Sequence, residues 1–378
     1  ADAEQTAAVV AWARAERVPV AIGEDAGIAL PMGRLAAAPA EAVRLDLGRL
    51  DRLRFYEPQD LTVGLEAGLT PAEVNARLGE QGQFLPLDAA GGEGARLGAI
   101  LAAHRSGPLR QYYGTVRDFI IGIEFVTAEG KLAHGGGRVV KNVAGYDLMR
   151  LMIGARGSLG VITAANFKVF PRPGPTTTWR WPLAGWEQAE ALRRAMLHGP
   201  LRPLALELAG ACGAAGDLAL AAYVRGAGGE RARERWRREL AAMSERLGTP
   251  APAVEDEAFW QGYGEDGGEA GEAWRLVAPA GAGVAALAGL QRAARLAGRA
   301  LAWRGRLGLG VFELAARPAL AERERSAWRA EVARAHPEAW LAPRGEPIEA
   351  ALAEAEAAPA LMRRLRDAVG ETGEAARP

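Results

Sequence analysis

Cysteine is all but absent from this sequence: Cys212 stands alone in 378 residues. A single thiol excludes an internal disulfide framework, a four-cysteine zinc site and an iron–sulfur cluster held by this chain's own thiolates. Histidine is limited to His104, His134, His198 and His336, none at a metal-ligand spacing, so no metal site is expected. Neither sign of charge predominates, with 46 Lys and Arg against 46 Asp and Glu, and no global field points to nucleic acid or an anionic membrane. No apolar run reaches spanning length, and the stretch ADAEQTAAVV lacks the basic and apolar regions of a secretory leader. A cytoplasmic, reducing setting without membrane insertion by this chain is the expectation. Also missing are the phosphate loop GxxxxGK with Ser or Thr, the GxSxG elbow, and the HExxH and CxxC pairs.

Lysine and asparagine are scarce too. Lys131, Lys141 and Lys168 are the only lysines among 46 cationic side chains, and Asn75, Asn142 and Asn166 the only asparagines. The excess of Arg and Ala reads as coding bias. Against it, the Lys141-Asn142 dipeptide inside RVVKNVAGYDL (138–148) stands out, because an ammonium is a compact point charge where a guanidinium is a wide fork. The dipeptide is either coincidence or a pair doing what Arg and Ser cannot.

What is present is an ordinary globular composition, 49% apolar and 24% charged, long enough for two cores. The texture changes at FPRPGP (Phe170–Pro175), a Pro-Gly punctuator, and nine of ten tryptophans follow it. This divides the chain into residues 1–175, with lobes of about 1–55 and 56–175, and residues 176–378. The first part predicts a helix over 6–16, strands in VPVAIG, EAVRLDL and LTVGLEAG, and a helix over 71–80 with Thr70 as cap, Pro71 at its first position and Glu73 completing a capping box. A hairpin turning at Glu129-Gly130, a short helix begun by Asp147 and ended by Gly154, and a strand through GVITAANFKVF follow. The second part alternates strands and helices with a two-fold cadence, which predicts an α+β fold: an antiparallel sheet with helices on one face, ending in a C-terminal helix. The Arg-rich helix over 230–247 interleaves Glu234, Glu239 and Glu245, the pattern of a solvated face.

Two loops are dense in chemistry. HRSGPLRQYYGTVRD (104–118) gathers donors, glycines and aromatic faces, with His104 the one histidine in such company. GARGSLG (154–160) looks like a dinucleotide fingerprint but precedes a strand, where a Rossmann turn opens a helix, so that reading fails on context. Its glycines either let backbone approach a ligand or close a tight helix-to-strand turn.

The run from 60 to 173, above all GRVVKNVAGYDLMRLMIGARGSLGVIT (137–163), closely resembles the FAD-binding subunits of bacterial glycolate oxidases. These belong to the flavoprotein superfamily of p-cresol methylhydroxylase and vanillyl-alcohol oxidase. Residues 6–55 resemble it loosely, and the part after 176 resembles the family's cap domain in length and cadence. The resemblance implies a two-lobed FAD-binding domain followed by an α+β cap, with clustered N–H groups of glycine turns satisfying the diphosphate. It implies Gly23 and Gly27 in the first phosphate loop, Arg96 and Gly98 in the next glycine turn, and Ser106, Gly107, Tyr113 and Gly114 lining the diphosphate and flavin. Gly157, Gly160, Val161 and Ile162 would edge the nucleotide, and Lys141 and Asn142 would brace the flavin site or a partner interface. No catalytic residue is implied.

Departures from the family pattern are equally specific. Glu24 and Asp25 stand where two phosphates should sit, which weakens the expected hold on FAD unless Arg96 or Arg105 offsets them. The family's C-terminal flavin-contacting tail is missing, and neither HRSG nor Cys212 forms a covalent tether, so the flavin is expected to be noncovalent. The HxGDGNxH-like metal motif of related 2-hydroxy-acid dehydrogenases is also missing after residue 176. The implied function is an FAD-binding subunit of a glycolate (2-hydroxy acid) dehydrogenase complex. Its partners would be a catalytic flavoprotein subunit and an iron–sulfur subunit, which could hold it at the periphery of the inner membrane. A flavin-free structural subunit and a stand-alone FAD oxidase of another substrate remain the alternatives.

Overall fold

A computed structural model describes residues 2–22, 29–30, 42–88, 94–138, 147–214, 217–255, 258–261 and 272–343. Contacts divide these into two compact units, one of residues up to Ser106 with Gly114–Arg172, the other of Gly107–Tyr113 with the described residues from Pro173 onward.

The first unit opens with α1 (Ala3–Ala15), three residues earlier than the apolar stripe alone indicates, because Asp2 and Gln5 form a capping box. Strands β1 (Val20–Ile22), β2 (Ala29–Leu30) and β3 (Val43–Leu45) make a small sheet ordered β2-β1-β3, with β1 parallel to β3. The chain continues through β4 (Leu53–Glu57), β5 (Thr62–Glu66), α2 (Pro71–Gly79) and β6 (Gln83–Phe84). Thr70, Pro71 and Glu73 cap α2 as its sequence dictates. Then come α3 (Leu97–Ala102), α4 (Arg110–Tyr113), α5 (Val116–Phe119), β7 (Ile120–Thr127), β8 (Leu132–Gly136), α6 (Leu148–Met152), β9 (Gly160–Lys168) and β10 (Phe170–Pro171). An antiparallel sheet runs β4-β5-β9-β7-β8, and β10 pairs with β6.

Strands β7 and β9 read as near-continuous apolar runs because both of their faces are covered. Ile123, Phe125, Ile162 and Phe167 enter the larger core with Leu65, Leu78, Leu97, Ile100 and Phe119. Val126 and Val161 enter the smaller core with Val10, Ala13, Val20, Leu45 and Leu50. The two lobes of this unit thus share β7 and β9 as a common wall.

The second unit is built from β11 (Thr176–Pro182), α7 (Trp186–His198), β12 (Ala205–Cys212), β13 (Leu218–Ala227), α8 (Glu230–Leu247), β14 (Ala253–Glu255) and α9 (Ala258–Gln261). It continues with β15 (Glu272–Val277), α10 (Gly283–Leu296), β16 (Ala300–Arg306), β17 (Val311–Arg317), α11 (Glu322–Ala335) and β18 (Trp340–Pro343). All neighbours are antiparallel in an eight-stranded sheet ordered β14-β11-β13-β12-β16-β17-β15-β18. The order is a duplication: β11-α7-β12-β13-α8-β14 and β15-α10-β16-β17-α11-β18 are two split βαββαβ motifs joined edge to edge at β12 and β16. Alternate residues Trp179, Trp181, Leu206, Leu208, Trp274, Leu276, Phe312 and Leu314 share one core with Leu192, Leu240, Leu287 and Trp328, so α7, α8, α10 and α11 cover the same face. The C-terminal helix expected from the sequence lies outside the described residues. The helices-on-one-face α+β architecture is as the cadence predicts.

The helix-free face has its own cover. Phe259 of α9 stacks on Tyr223 of β13 at 3.8 Å, under the Arg304 guanidinium at 5.1 Å, and Trp260 donates to Thr178 Oγ1 at 2.6 Å. The segment 107–113, early in the sequence, belongs here by its contacts: Gly107 O accepts from Arg306 Nε at 3.3 Å, and Gly308 leaves room for Gln111.

Candidate cofactor site

The start of α3 is fastened to the turn after β5. Leu97 N donates to Leu69 O and Gly98 N to Ala67 O, both at 2.8 Å, and a Cβ on Gly98 would lie 3.0 Å from that of Ala67. Arg96 donates from Nη1 to Gly68 O at 2.8 Å, and its guanidinium lies against Gly48. Gly68 N in turn donates to Leu50 O. Arg96 therefore joins the two lobes through backbone carbonyls and through a close approach that only glycine permits. Glu24 and Asp25, the carboxylates it was expected to offset, lie outside the described residues, as do Gly23, Gly27, Lys141 and Asn142.

The other end of α3 is the hub of the site. Arg105 N returns to Ile100 O and His104 N to Leu101 O, each at 3.0 Å, a Schellman closure with His104 at the left-handed position, φ +48°. The turn after α6 docks on the last carbonyls of the same helix: Gly154 N donates to Leu101 O at 3.1 Å and Arg156 N to Ala102 O at 2.8 Å. Asp147 caps α6 through Arg150 N, and Arg117 of α5 donates from Nη2 to Ile153 O at 2.6 Å and Arg150 O at 3.1 Å. A cation is thus placed where a helix C-terminus leaves carbonyls exposed. Thr115 and Asp118 fix α5, with Thr115 N donating to Asp118 Oδ2 at 2.6 Å beside Gly114 at φ +82°.

Around Gly154 these pieces form a cradle. A Cβ there would stand 3.4 Å from His104 Cβ and 3.6 Å from Arg117 Nη2. Arg117 Nε is buried and meets no acceptor. Ala155, Ser158 and Gly160 turn their amides inward to Met152 O, Ala155 O and Gly157 O, whereas among the described residues no acceptor meets the amides of Gly157 and Leu159. Gly157 (φ +77°) and Gly160 (φ +152°) hold backbone that side chains avoid, and a Cβ on Gly160 would fall 2.2 Å from Val126 O. Two amides on this turn without acceptors among the described residues, and the buried Arg117 Nε, are donors of the kind an anion such as a diphosphate takes.

The other sequence-predicted residues are divided between the two units. Val161 and Ile162 bury their side chains in the two cores, which leaves only backbone for a ligand. Ser106 is half-buried at the end of the first unit's segment. Gly107 and Tyr113 belong to the second unit; burial raises the Tyr113 phenol's pKa, with a smaller push from Tyr112, whose ring meets it edge-on at 4.9 Å. Sequence reasoning took Arg117 only as one donor of the loop 104–118 and did not single out Arg156. Arg156 had a signal in its flanking glycines at 154, 157 and 160. The two carbonyl partners of Arg117 lie more than 30 residues away and left none.

Residues 1–136 match the family described as FAD binding domain. The chain is 42% identical over 126 residues to the glycolate oxidase subunit GlcE of Escherichia coli (strain K12), covering 33% of this chain and 36% of that one. It is 39% identical over 132 residues to the mitochondrial D-lactate dehydrogenase (cytochrome) of Arabidopsis thaliana, covering 35% and 23%. It is 32% identical over 199 residues to the D-2-hydroxyglutarate dehydrogenase of Xanthomonas citri pv. viticola, covering 52% and 41%. The matched stretches span well under half the length of these relatives. The solved structure of alkyldihydroxyacetonephosphate synthase shares the fold, with a TM-score of 0.67 over 89% of this chain and 70% of that one at 15% identity. The amino-terminal part of this chain is therefore an FAD binding domain of the p-cresol methylhydroxylase type, with FAD as its cofactor.

Proposed function

We propose that this chain is the FAD-binding subunit of an oxidoreductase complex acting on the CH–OH group of a small 2-hydroxy acid, glycolate foremost. The observation that carries the reading is the FAD binding domain match over residues 1–136, together with the likeness of that region to a glycolate oxidase subunit and to D-lactate and D-2-hydroxyglutarate dehydrogenases. Bound FAD supplies a two-electron acceptor. The chain's own residues hold it without a covalent bond: the amides of Gly157 and Leu159 and the guanidinium of Arg117 meet the diphosphate, and Val161 and Ile162 present backbone to the nucleotide. Gly98 and Arg96 fix the lobe junction beside it. Gly114 and Ser106 complete the rim, and Lys141 and Asn142 brace the flavin or the partner face.

Substrate binding belongs in this reading to a partner flavoprotein subunit and electron exit to an iron–sulfur subunit, because the sequence carries neither the His-rich metal motif nor the thiolates. No helix among the described residues is long and apolar enough to cross a membrane. The test is the visible spectrum of the purified chain and its dye-reducing activity. Flavin absorption, lost to the filtrate on heat denaturation, is expected, with glycolate-dependent dye reduction arising only when the partner subunits are added. A colourless chain that still assembles would overturn the cofactor role, and glycolate turnover by the isolated chain would overturn the need for partners.

A further inference from the structure

Helix α1 is apolar on the side that faces away from its core as well as on the side that faces it. Thr6, Val10 and Ala13 form its buried stripe, and Val10 and Ala13 pack with Val126 and Val161 in the smaller core. Between Gln5 and Glu16 the exposed residues are Ala8, Ala11, Trp12, Arg14 and Ala15. At about 100° per residue, Ala8, Ala11, Trp12 and Ala15 share one arc opposite the buried stripe, and Arg14 falls outside it. Trp12 is 51% exposed, more than any other tryptophan of the chain, and it alone precedes the Pro-Gly run. Leu132 extends this surface. It stands opposite Val126 in the β7–β8 pair, hence on the sheet face that α1 covers, and is 53% exposed. Ala11 lies against the tip of that hairpin, where a Cβ on Gly130 would come 2.6 Å from its own, and Arg14 pairs with Glu129 beside it at 2.8 Å. An apolar helix face around an exposed indole, rimmed by an ion pair, has the composition of a contact surface.

We propose that a second copy of this chain covers this surface, α1 packing antiparallel on α1 across a two-fold axis with each Trp12 ring on the alanines of the other. Two observations favour a second copy. A two-fold axis crossing a helix makes the pair antiparallel, and α1 carries Asp2 and Glu4 at its start and Arg14 and Arg17 at its end, with Glu16 the one charge against the trend. The antiparallel pair therefore brings opposite charges and opposite dipole ends together. The stripe is also self-complementary: Trp12 is its single bulky residue, and Ala8 and Ala15, about one turn before and after it, are the hollows a ring can enter. The 13 residues of α1 span about 20 Å. A contact of that length belongs to the small end of specific interfaces, below about 1,200 Å² in total, so a dimer of micromolar affinity is expected. The inference is independent of the cofactor reading. Sedimentation velocity of the full chain over a micromolar concentration series should show that dimer. Trp12→Ala should weaken it about thirtyfold or more. Trp12→Glu should leave a monomer, and neither variant should move the unfolding midpoint of dilute protein, because residue 12 lies outside the core. Cys212 is buried, so introduced thiols can be followed by themselves. A mixture of Ala8→Cys and Ala15→Cys chains should form a disulfide-linked dimer faster than either variant alone, as an antiparallel pair requires. A wild type that stays monomeric throughout the series, a dimer that survives Trp12→Glu, or cross-linking no faster in the mixture would each overturn the inference. A chain that is monomeric alone and shields Trp12 only when the partner subunits are added would overturn it too, and would give the surface to one of them.

Discussion

Asparagine is rare enough here that each one invites a reason, and two of the three have it in backbone brackets. Asn75 donates from Nδ2 to Leu85 O at 3.1 Å and accepts from Leu85 N at 2.7 Å, so one amide tethers the chain after β6 to α2. Asn166 donates to Gly137 O at 2.9 Å, beside Gly122, where a Cβ would press on that same carbonyl. Replacing Asn75 by Ala strands a donor and an acceptor of Leu85, and urea titration should show a loss of about 2 kcal/mol. Asn75→Asp should recover only part of that loss, because it restores the acceptor and not the donor. At this scale the sequence was readable where type and scarcity coincide. It marked His104 by its company in the loop 104–118 but not by its backbone, and was silent on Arg156, because nothing in a side chain's identity announces the left-handed backbone beneath it.

Elements were legible in proportion to the locality of what stabilises them. The capping box of α2 lies within four residues and can be read directly, and so can Asp147 at the head of α6. Short strands such as β6, β10 and β14, of two or three residues, have too few positions to show an alternation; their pairing partners define them. The allegiance of α4 depends on Arg306, 199 residues from Gly107, and no local pattern encodes that. On α7 the local chemistry makes a pH prediction. Glu190 accepts from Arg193 and Arg194 at 2.7 Å, and these bonds, Arg193 foremost, hold its carboxyl below the usual value of 4.5. A depressed carboxylate stabilises the fold above its unfolded pKa and loses that contribution as pH falls through the folded one. The stability gap between wild type and Glu190→Gln should therefore be full at neutral pH and close as acid is added below about 4.5, followed by thermal unfolding across that range.

At the scale of the molecule, composition and cadence carried the α+β architecture, and the second unit's longer segment begins at Pro173, inside the Pro-Gly run. The duplication of the second unit was only half legible. The sequence shows the alternation of strands and helices, but not that the two repeats meet at β12 and β16, which puts β14 and β15 at positions one and seven of the sheet. These two strands run in the same direction, since β14 opposes β11 and an odd number of reversals separates β11 from β15. The connection from Glu255 to Glu272 therefore has to bridge six strand spacings and return to the same end of the sheet. Phe259, within that connection, stacks on Tyr223 of β13. The linker is thereby a ruler. Six strand spacings and the return along one strand amount to roughly 35 Å, or about eleven extended residues, and sixteen lie between Glu255 and Glu272. Deletions of one to three residues there should leave the midpoint of unfolding nearly unchanged. Deletions of about six or more should abolish cooperative unfolding of the second unit, because the repeats could then pair through β12 and β16 only by giving up β14 or β15.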